Sequence, residues 1–258
     1  MNEVFLNLKK HQFLFEELVK RDFKQKYKRT VLGMAWSVLS PLLTLLVMKI
    51  VFTQFFGRGT PHYTIYLFSG NLVMAYFKES TKGGMSALMS NAKIFSKINV
   101  PKYMFLLSKN VSALINFVII LVVYFFFCIL DGITFGVHMF TLLYPLACLL
   151  IFNIGVGLVL SAMYVFFRDT QYLYDVFLTL LTYLSAIFYT IDQFSATIQS
   201  LFLLNPIYCY IKYFRVVVID GTIPSLEFHA LCAFYAFAAV AVGAYIYKKN
   251  NHKFLYYV

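Results

Sequence analysis

A basic segment at residues 21–29 runs directly into a long apolar stretch, and this junction restricts the possible folds more than any other feature. Six of the nine residues from Arg21 to Arg29 are charged, residues 31–47 carry no charge, and the only tryptophan, Trp36, lies just inside the boundary. Basic side chains favour anionic head groups, an indole favours the interface, and aliphatic side chains favour hydrocarbon. The junction is therefore typical of a helix that enters a bilayer from its cytoplasmic side. A basic surface loop before a buried core helix is the alternative.

The overall composition agrees with a membrane location. Hydrophobic residues make up 61% of the 258 residues and charged residues 13%, whereas a soluble domain averages roughly 45–50% apolar and 25% charged residues. A chain of this length has room for about six spans of ~20 residues with short loops. We therefore predict an all-α membrane protein with a single domain over residues 1–258. It consists of an amphipathic, basic interface segment (1–29) and a six-span bundle (30–258).

The apolar runs predict where the individual helices lie. We expect the six spans at about 31–56, 63–77, 104–130, 140–167, 172–189 and 228–247. The second helix should continue past Lys78 and Glu79, and residues 82–102 should form a cytoplasmic loop whose own short helix docks a soluble partner. Residues 1–20 carry apolar side chains near helical spacing, which predicts an amphipathic helix on the inner leaflet. A disordered basic tail is the alternative for that segment.

Two apolar segments before the last span, 198–204 and 207–219, are each too short to cross a bilayer. Segments of this length are tolerated at membrane depth where protein buries their backbone or a cavity solvates it. We predict a re-entrant helical hairpin in the outer half of the bilayer that turns at Asn205 and Pro206. Proline lacks an N–H, and the asparagine side chain can satisfy free backbone groups at such a turn. Tyr208 and Tyr210 would then face the exit.

The distribution of lysine and arginine predicts the orientation. Of the 22 residues, 18 fall in the N-terminal segment, in 78–109, at Arg168 or at the C-terminus. Cytoplasmic loops carry the excess of these residues, so we predict a multi-pass protein with both termini in the cytoplasm. The net charge of +11 then serves contact with anionic lipid and an anionic substrate, not nucleic acid. About 30 largely polar residues precede the first apolar run, so we expect no cleavable signal peptide.

Several kinds of chemistry have no sequence signature here. The chain contains no G-x-x-x-x-G-K-[ST] phosphate loop, no H-E-x-x-H and no G-x-S-x-G, and its four cysteines show no C-x-x-C spacing. The 11 acidic residues are dispersed, whereas a membrane-embedded enzyme, the alternative considered, would gather acids at one membrane face. We therefore expect no enzyme activity, no cofactor and no metal site in this chain.

The basic run at the inner interface is the first candidate site. Cations at a partly desolvated boundary bind phosphate strongly, so we predict that an anionic substrate meets a group formed by Lys24, Tyr27, Lys28, Arg29 and Trp36. A topology signal with lipid contact is the alternative. Tyrosines could line a passage for a sugar polymer, because their rings and hydroxyls both contact sugars; the candidates are Tyr63, Tyr66, Tyr76, Tyr172, Tyr174, Tyr183 and Tyr189.

A charged pair after the fourth span is the second candidate site. A charge at the bilayer centre costs on the order of 2.5–3.5 kcal/mol, so Arg168 and Asp169 should lie at the cytoplasmic edge. They either anchor the topology or brace a short gate helix, with Asp175 as a partner for Arg168. We assign the gate to Arg168 and Asp169 inside and to Asn205, Pro206 and Tyr208 outside.

Three segments carry a resemblance to a known family. RDFKQKYKRTVLGMAWSVLSPLL at 21–43, VFFRDTQYL at 165–173 and LNPIY at 204–208 resemble the permease subunits of polysaccharide ABC exporters. These proteins export O-antigen, teichoic acid, polyol phosphate and capsule-like polymers. The likeness covers essentially the whole chain in order, and its first motif is the most specific. IFSKINVPKYM at 94–104 departs from the family's loop, which leaves the docking contacts there open.

The resemblance implies a partner and a substrate. Such permeases have an N-terminal amphipathic helix, six spans and short re-entrant helices before the last span, and they work as homodimers in the bacterial plasma membrane. Two copies of a separate subunit bind ATP and Mg and supply the energy. The substrate is a glycan on a polyprenyl diphosphate carrier that moves from the cytoplasmic to the outer face. An exporter of drugs or small lipids, and a structural membrane scaffold, are the alternatives.

Overall fold

The computed structural model describes residues 9–56, 61–98 and 100–257, with the backbone alone at 27, 54–56, 255 and 256, and within these ranges it contains helices and no strands. Short 3-10 turns at Gly33–Ala35 and Val137–Leu142 precede two of the helices. In chain order the helices are α1 (Gln12–Tyr27), α2 (Trp36–Phe56), α3 (Tyr63–Ser90), α4 (Ala92–Phe95), α5 (Tyr103–Leu130), α6 (Leu143–Phe166), α7 (Thr170–Leu184), α8 (Ala196–Phe202), α9 (Pro206–Val218), α10 (Leu226–Asn250) and α11 (Phe254–Tyr257).

Several helices in the described ranges are long and apolar enough to cross a membrane. Four such segments are Gly33–Thr53, Tyr103–Leu130, Val137–Phe166 and Leu226–Asn250, and the bent pair α8 and α9 gives a fifth if it counts as one span. Helix α3 has 28 residues but carries charges in its second half, and α7 has only 15 residues. Fifteen residues cover about 22 Å, less than the ~30 Å of a hydrocarbon core. The all-helical, multi-span prediction is confirmed, and the count of six spans stays a prediction.

Helix α3 is one continuous helix, which corrects the prediction of a separate helix after residue 82. Met85 and Leu88 belong to α3 and are buried, and only the single turn of α4 follows. The Gly83-Gly84 pair lies inside this continuous helix, and Gly84 packs closely against α6. A Cβ atom at Gly84 would lie 3.1 Å from the Cα atom of Gly157 in α6. The two helices therefore approach closely at this point.

Helices α6 and α10 approach even more closely at a second pair of glycines. A Cβ atom at Gly155 would lie 2.4 Å from the Ala239 carbonyl carbon and the Val240 nitrogen. A Cβ atom at Gly243 would lie 2.4 Å from the Gly155 carbonyl oxygen. Small residues at helix interfaces allow this kind of backbone contact in membrane bundles. The glycines thus fix the last predicted span against the fourth.

The predicted turn before the last span is confirmed. Helices α8 and α9 meet at 105° across residues 203–205, and the Asn205 Oδ1 atom accepts hydrogen bonds from the backbone N–H groups of Ile207 (3.0 Å) and Tyr208 (3.3 Å). Pro206 is the first residue of α9, where a missing N–H is tolerated. The position of this hairpin in a bilayer stays a prediction. Tyr210 is fully buried and donates to the Cys232 carbonyl oxygen (3.0 Å), so the prediction that it faces the exit is wrong.

Candidate functional site

The basic residues predicted to meet an anionic substrate lie at the connection between α1 and α2. Lys28 is extended, Arg29 has a left-handed backbone (φ 64°), and α2 begins at Trp36. Lys24, Lys28 and Arg29 are exposed, and Trp36 is 38% exposed. The Tyr27 side chain lies outside what the structure describes. We call residues 24–36 the basic turn; its Lys24, Lys28 and Arg29 side chains are exposed to the surroundings.

A buried carboxylate holds the helix that carries the basic turn. The Asp22 side chain is 1% exposed, and its Oδ1 atom lies 2.8 Å from Arg21 Nη2 and 3.0 Å from Lys109 Nζ in α5. Ser108 donates to its Oδ2 atom (3.1 Å), and Arg21 also donates to the Asn91 side chain (2.8 Å). Leu18, one helical turn earlier, is buried on the same side. Residues 14, 18 and 22 thus form the face of α1 that packs against the bundle, and its position on the inner leaflet stays a prediction.

A second polar contact joins the end of α1 to the middle of α3. Lys26 Nζ lies 2.8 Å from the Glu79 Oε2 atom, and the Asn116 side chain donates to the same oxygen (2.9 Å). Glu79 therefore connects α1, α3 and α5. From the sequence, Glu79 was expected only to mark the point where α3 leaves the membrane. Its place directly after the uncharged stretch 64–77 was the available signal for a specific partner, because an acidic side chain in a membrane helix usually pairs with another group.

The inner gate pair lies at the junction of α6 and α7. Arg168 and Asp169 are exposed, and within the described ranges no ion pair includes either of them. The Asp175 Oδ1 atom instead lies 2.6 Å from Lys82 Nζ of α3, so the predicted pairing of Asp175 with Arg168 is wrong. Lys82 lies one helical turn after Lys78 and Glu79 in α3, and at this position α3 is in contact with α7. The proposed gating role of Arg168 and Asp169 is left open by this geometry.

The outer gate residues adjoin a buried arginine, Arg215 of α9. The Arg215 side chain of α9 donates to the carbonyl oxygens of Ala186 (2.9 Å), Ile187 (3.2 Å) and Tyr66 (3.2 Å). Its guanidinium carbon lies 3.4 Å from the centre of the Tyr66 ring. One charge inside the apolar run YFRVVV was the available signal, because a lone cation in such a run needs internal partners.

This arginine organises the irregular chain after α7. Ala186 has a left-handed backbone (φ 48°), which costs an alanine roughly 1–2 kcal/mol. The Asn205 Nδ2 atom donates to the Leu184 carbonyl oxygen (3.1 Å) and the Ser185 hydroxyl oxygen (3.0 Å). Arg215 and Asn205 thus hold both sides of the strained turn. A cavity of about 260 Å³, the outer pocket, opens beside them; its lining includes Tyr66, Asp192, Tyr208, Lys212, Arg215 and Asp220.

The tyrosines predicted to line a sugar passage divide into two groups. Tyr63 donates to the Phe188 carbonyl oxygen (2.6 Å), Tyr66 to that of Tyr189 (2.7 Å) and Tyr174 to the Thr81 hydroxyl (2.6 Å). The first two hydroxyls join α3 to the irregular chain after α7, and the third joins α7 to α3. Tyr172 and Tyr183 on α7 are 70% and 61% exposed, so they can contact groups outside it.

The helices, the basic turn and the hairpin define a polytopic helical membrane protein. Its sequence matches the ABC-2 type transporter family over residues 14–219. The chain belongs to this family.

Curated relatives match almost the whole chain. The O-antigen export system permease protein RfbA of Myxococcus xanthus is 30% identical over 228 residues, which cover 85% of each chain. RfbA of Klebsiella pneumoniae is 26% identical over 94% of this chain and 95% of its own. The polysialic acid transport protein KpsM of Escherichia coli is 20% identical over 93% and 94%. The resemblance predicted from the three sequence motifs is therefore confirmed.

Proposed function

We propose that this chain is the membrane-spanning permease subunit of an ATP-driven exporter of polysaccharide. The observation that carries the proposal is its alignment, over 85–94% of its length, with relatives named for export of O-antigen and transport of polysialic acid. The substrate is a glycan on a polyprenyl diphosphate carrier, such as O-antigen or teichoic acid. It moves from the cytoplasmic to the outer face of the bacterial plasma membrane.

The energy for this movement comes from a partner. Moving a charged diphosphate and a polar glycan through hydrocarbon is strongly unfavourable, and the sequence lacks a phosphate loop. Two copies of a separate subunit therefore bind ATP and Mg and supply the energy. This chain acts as a homodimer without enzyme activity of its own. Large exposed apolar side chains on α2 and α7 provide surface on which a second copy would pack; they include Leu43, Val47, Ile50, Leu173, Val176 and Leu180.

The orientation follows from the positive charges. Both termini lie in the cytoplasm, α1 lies on the inner leaflet, six helices cross the bilayer and the α8–α9 hairpin enters its outer half. This arrangement is supported by the excess of lysine and arginine in the segments assigned inside. The basic turn then meets the lipid diphosphate, and the outer pocket lies near the exit.

Helix α3 links the two ends of this path. Its Glu79 contacts Lys26 of the basic turn, and its Tyr66 contacts Arg215 at the outer pocket. The two positions are 13 residues apart, about 20 Å along a helix. In this proposal a shift of α1 on substrate binding reaches the outer gate through one rigid helix, and Arg168 and Asp169 brace the inner gate.

Co-purification with an ATP-binding subunit tests the proposal, together with the fate of lipid-linked glycan in cells that lack the gene. We expect a complex whose ATP hydrolysis depends on this chain, and lipid-linked glycan that accumulates inside the cell. Normal glycan export with retained drug or lipid would identify a small-molecule exporter. A scaffold would show neither accumulation nor dependence on ATP. Transport by the purified chain alone would overturn the partner.

A further inference from the structure

An apolar groove lies between α5, α6 and α10. It is lined by Lys102, which directly precedes α5, and by Lys248 near the end of α10. It encloses about 490 Å³. Half of its lining residues are aliphatic and form an apolar wall: Leu106, Leu107, Ile154, Leu158, Val240 and Ala244. The basic turn and the outer pocket share no residue with it. The groove is therefore a separate site from those assigned to the glycan.

The length of the groove matches one leaflet of a bilayer. Along α10 its lining runs from Val240 to Lys248, about 12 Å at 1.5 Å per residue. One leaflet of hydrocarbon is about 15 Å thick. The orientation proposed above places the Lys248 end at the cytoplasmic surface. An acyl chain of the inner leaflet could lie along this wall, whereas a polyprenyl tail is several times longer than the groove.

The mouth of the groove is positively charged. Lys102 and Lys248 line it, and none of its described lining residues is acidic. Lys102 Nζ donates to the Asn251 carbonyl oxygen (2.7 Å) and lies 5.8 and 5.7 Å from the ring centres of Phe95 and Phe254. Burial lowers the pKa of the Lys102 ammonium. Its neighbours are thus a carbonyl and two rings, with room for an anion.

Two buried tyrosine hydroxyls at the groove lack hydrogen-bond partners among the described residues. Tyr103 and Tyr247 both line it, and neither hydroxyl has a hydrogen-bond partner among the described residues. Tyr247 is 6% exposed. Buried polar groups in proteins nearly always have partners. Both phenols lie at the level of the lysines, where a lipid carries its ester and phosphate oxygens.

We propose that this groove binds an anionic glycerophospholipid of the inner leaflet, with its acyl chain along α10 and its phosphate between Lys102 and Lys248. Basic pockets between membrane helices on the cytoplasmic side are suited to such head groups. The lipid would fill the space between α5 and α10, both of which line the groove. It therefore acts as a fixed component of the bundle, distinct from the transported glycan.

Native mass spectrometry of the delipidated complex tests this proposal with phosphatidylglycerol and phosphatidylcholine of the same acyl chains. We expect one tight phosphatidylglycerol per chain. A lysine near an anionic head group is worth about fivefold in affinity, so Lys248→Gln should weaken binding about fivefold and Lys102→Gln/Lys248→Gln more than tenfold. The matched control, Lys97→Gln/Lys253→Gln, removes two nearby charges outside the groove and should bind like the parent.

A second variant tests the apolar wall. Ala244→Phe fills the groove without changing charge, and its size-exclusion profile verifies that the complex is intact. We expect it to lose the tight lipid site. Equal affinity for the two lipids, equal losses in the control, or unchanged binding in Ala244→Phe would overturn the proposal. So would displacement of phosphatidylglycerol by a lower concentration of polyprenyl phosphate. Because no transport is measured, these outcomes do not depend on the exported substrate.

Discussion

Asp22 of α1 and Lys109 of α5 form an ion pair of 3.0 Å in which the carboxylate is 1% exposed. Arg21 and Ser108 contact the same carboxylate, so its charge is compensated by two cations and a hydroxyl. Buried carboxylates are costly without such partners. The contact therefore specifies one position for α1 against the bundle, and with it the position of the basic turn.

Replacing Asp22 with Asn should loosen this attachment. The amide keeps the shape of the side chain but leaves Arg21 and Lys109 without their anion, and we expect a loss of about 1–3 kcal/mol in stability. Thermal unfolding of the purified protein measures the loss. Asp169→Asn, at an exposed carboxylate, is the control and should unfold like the parent. An unchanged melting temperature for Asp22→Asn would show that the ion pairs of Asp22 are not needed to hold α1.

Arg215→Lys tests the outer anchor. Lysine keeps the charge but lacks the planar fork, so the carbonyls of Ala186 and Ile187 lose donors and the strained turn loses its support. We expect a loss of about 1–3 kcal/mol and faster proteolysis within residues 185–195. Lys212→Arg, one turn earlier in α9, serves as the control and should leave both properties unchanged. If Arg215→Lys resists protease as the parent does, Asn205 and the hydroxyls of Tyr63 and Tyr66 hold the turn without the guanidinium.

Gly155→Ala tests the contact between α6 and α10. The new Cβ atom would lie 2.4 Å from backbone atoms of Ala239 and Val240, which cannot move independently of their helix. We expect destabilisation of about 3 kcal/mol or more, measured as a lower melting temperature. Gly83→Ala is the matched control, because its Cβ atom would meet Lys109 Cβ at an ordinary 3.4 Å. That variant should gain about 0.5–1 kcal/mol, as alanine does over glycine in a helix.

The parts of the fold that local chemistry decides were predictable from sequence. Long apolar runs gave the helices at 103–130, 143–166 and 226–250 to within a few residues at most ends. The turn at Asn205 was predictable for the same reason. An asparagine followed by proline satisfies two backbone groups within its own neighbourhood, so no distant residue is needed to form it.

Contacts between distant residues decided the remainder. Residues 82–90 were expected to belong to a loop, but they continue α3, and Gly84 packs there against Gly157 of α6. Asp175 had a plausible neighbour in Arg168, and the crossing of α3 and α7 gave it Lys82 instead. Arg215 and Tyr66 are 149 residues apart. A single sequence shows that such a charge needs a partner, but not which helix supplies it.

Arg168→Lys separates the two roles proposed for the inner pair. Lysine preserves a positive charge at the membrane edge, so a topology anchor should export normally. A brace needs the planar, bidentate guanidinium, and we expect export to fall at least about tenfold, or ATP hydrolysis to become uncoupled from it. Membrane yield of the variant is measured in parallel with glycan export. Lys97→Arg is the control for altered cation type, and full export by Arg168→Lys would leave only the anchor.

The basic turn is tested by removing Lys24, Lys28 and Arg29 together. These side chains are exposed, so glutamine at all three positions should leave the free energy of unfolding within about 0.5 kcal/mol of the parent's. If the turn receives the diphosphate, three lost charges should weaken stimulation of ATP hydrolysis by lipid-linked glycan more than tenfold, because charge-assisted contacts to phosphate are the strong ones. The control changes Lys9, Lys10 and Lys20 to Gln, which removes equal charge from the same segment but not from the turn. If both triple variants weaken the stimulation of ATP hydrolysis equally, the charges of the turn act only by general attraction to the anionic leaflet. Normal export by the Lys24, Lys28 and Arg29 variant would leave them a role in topology alone.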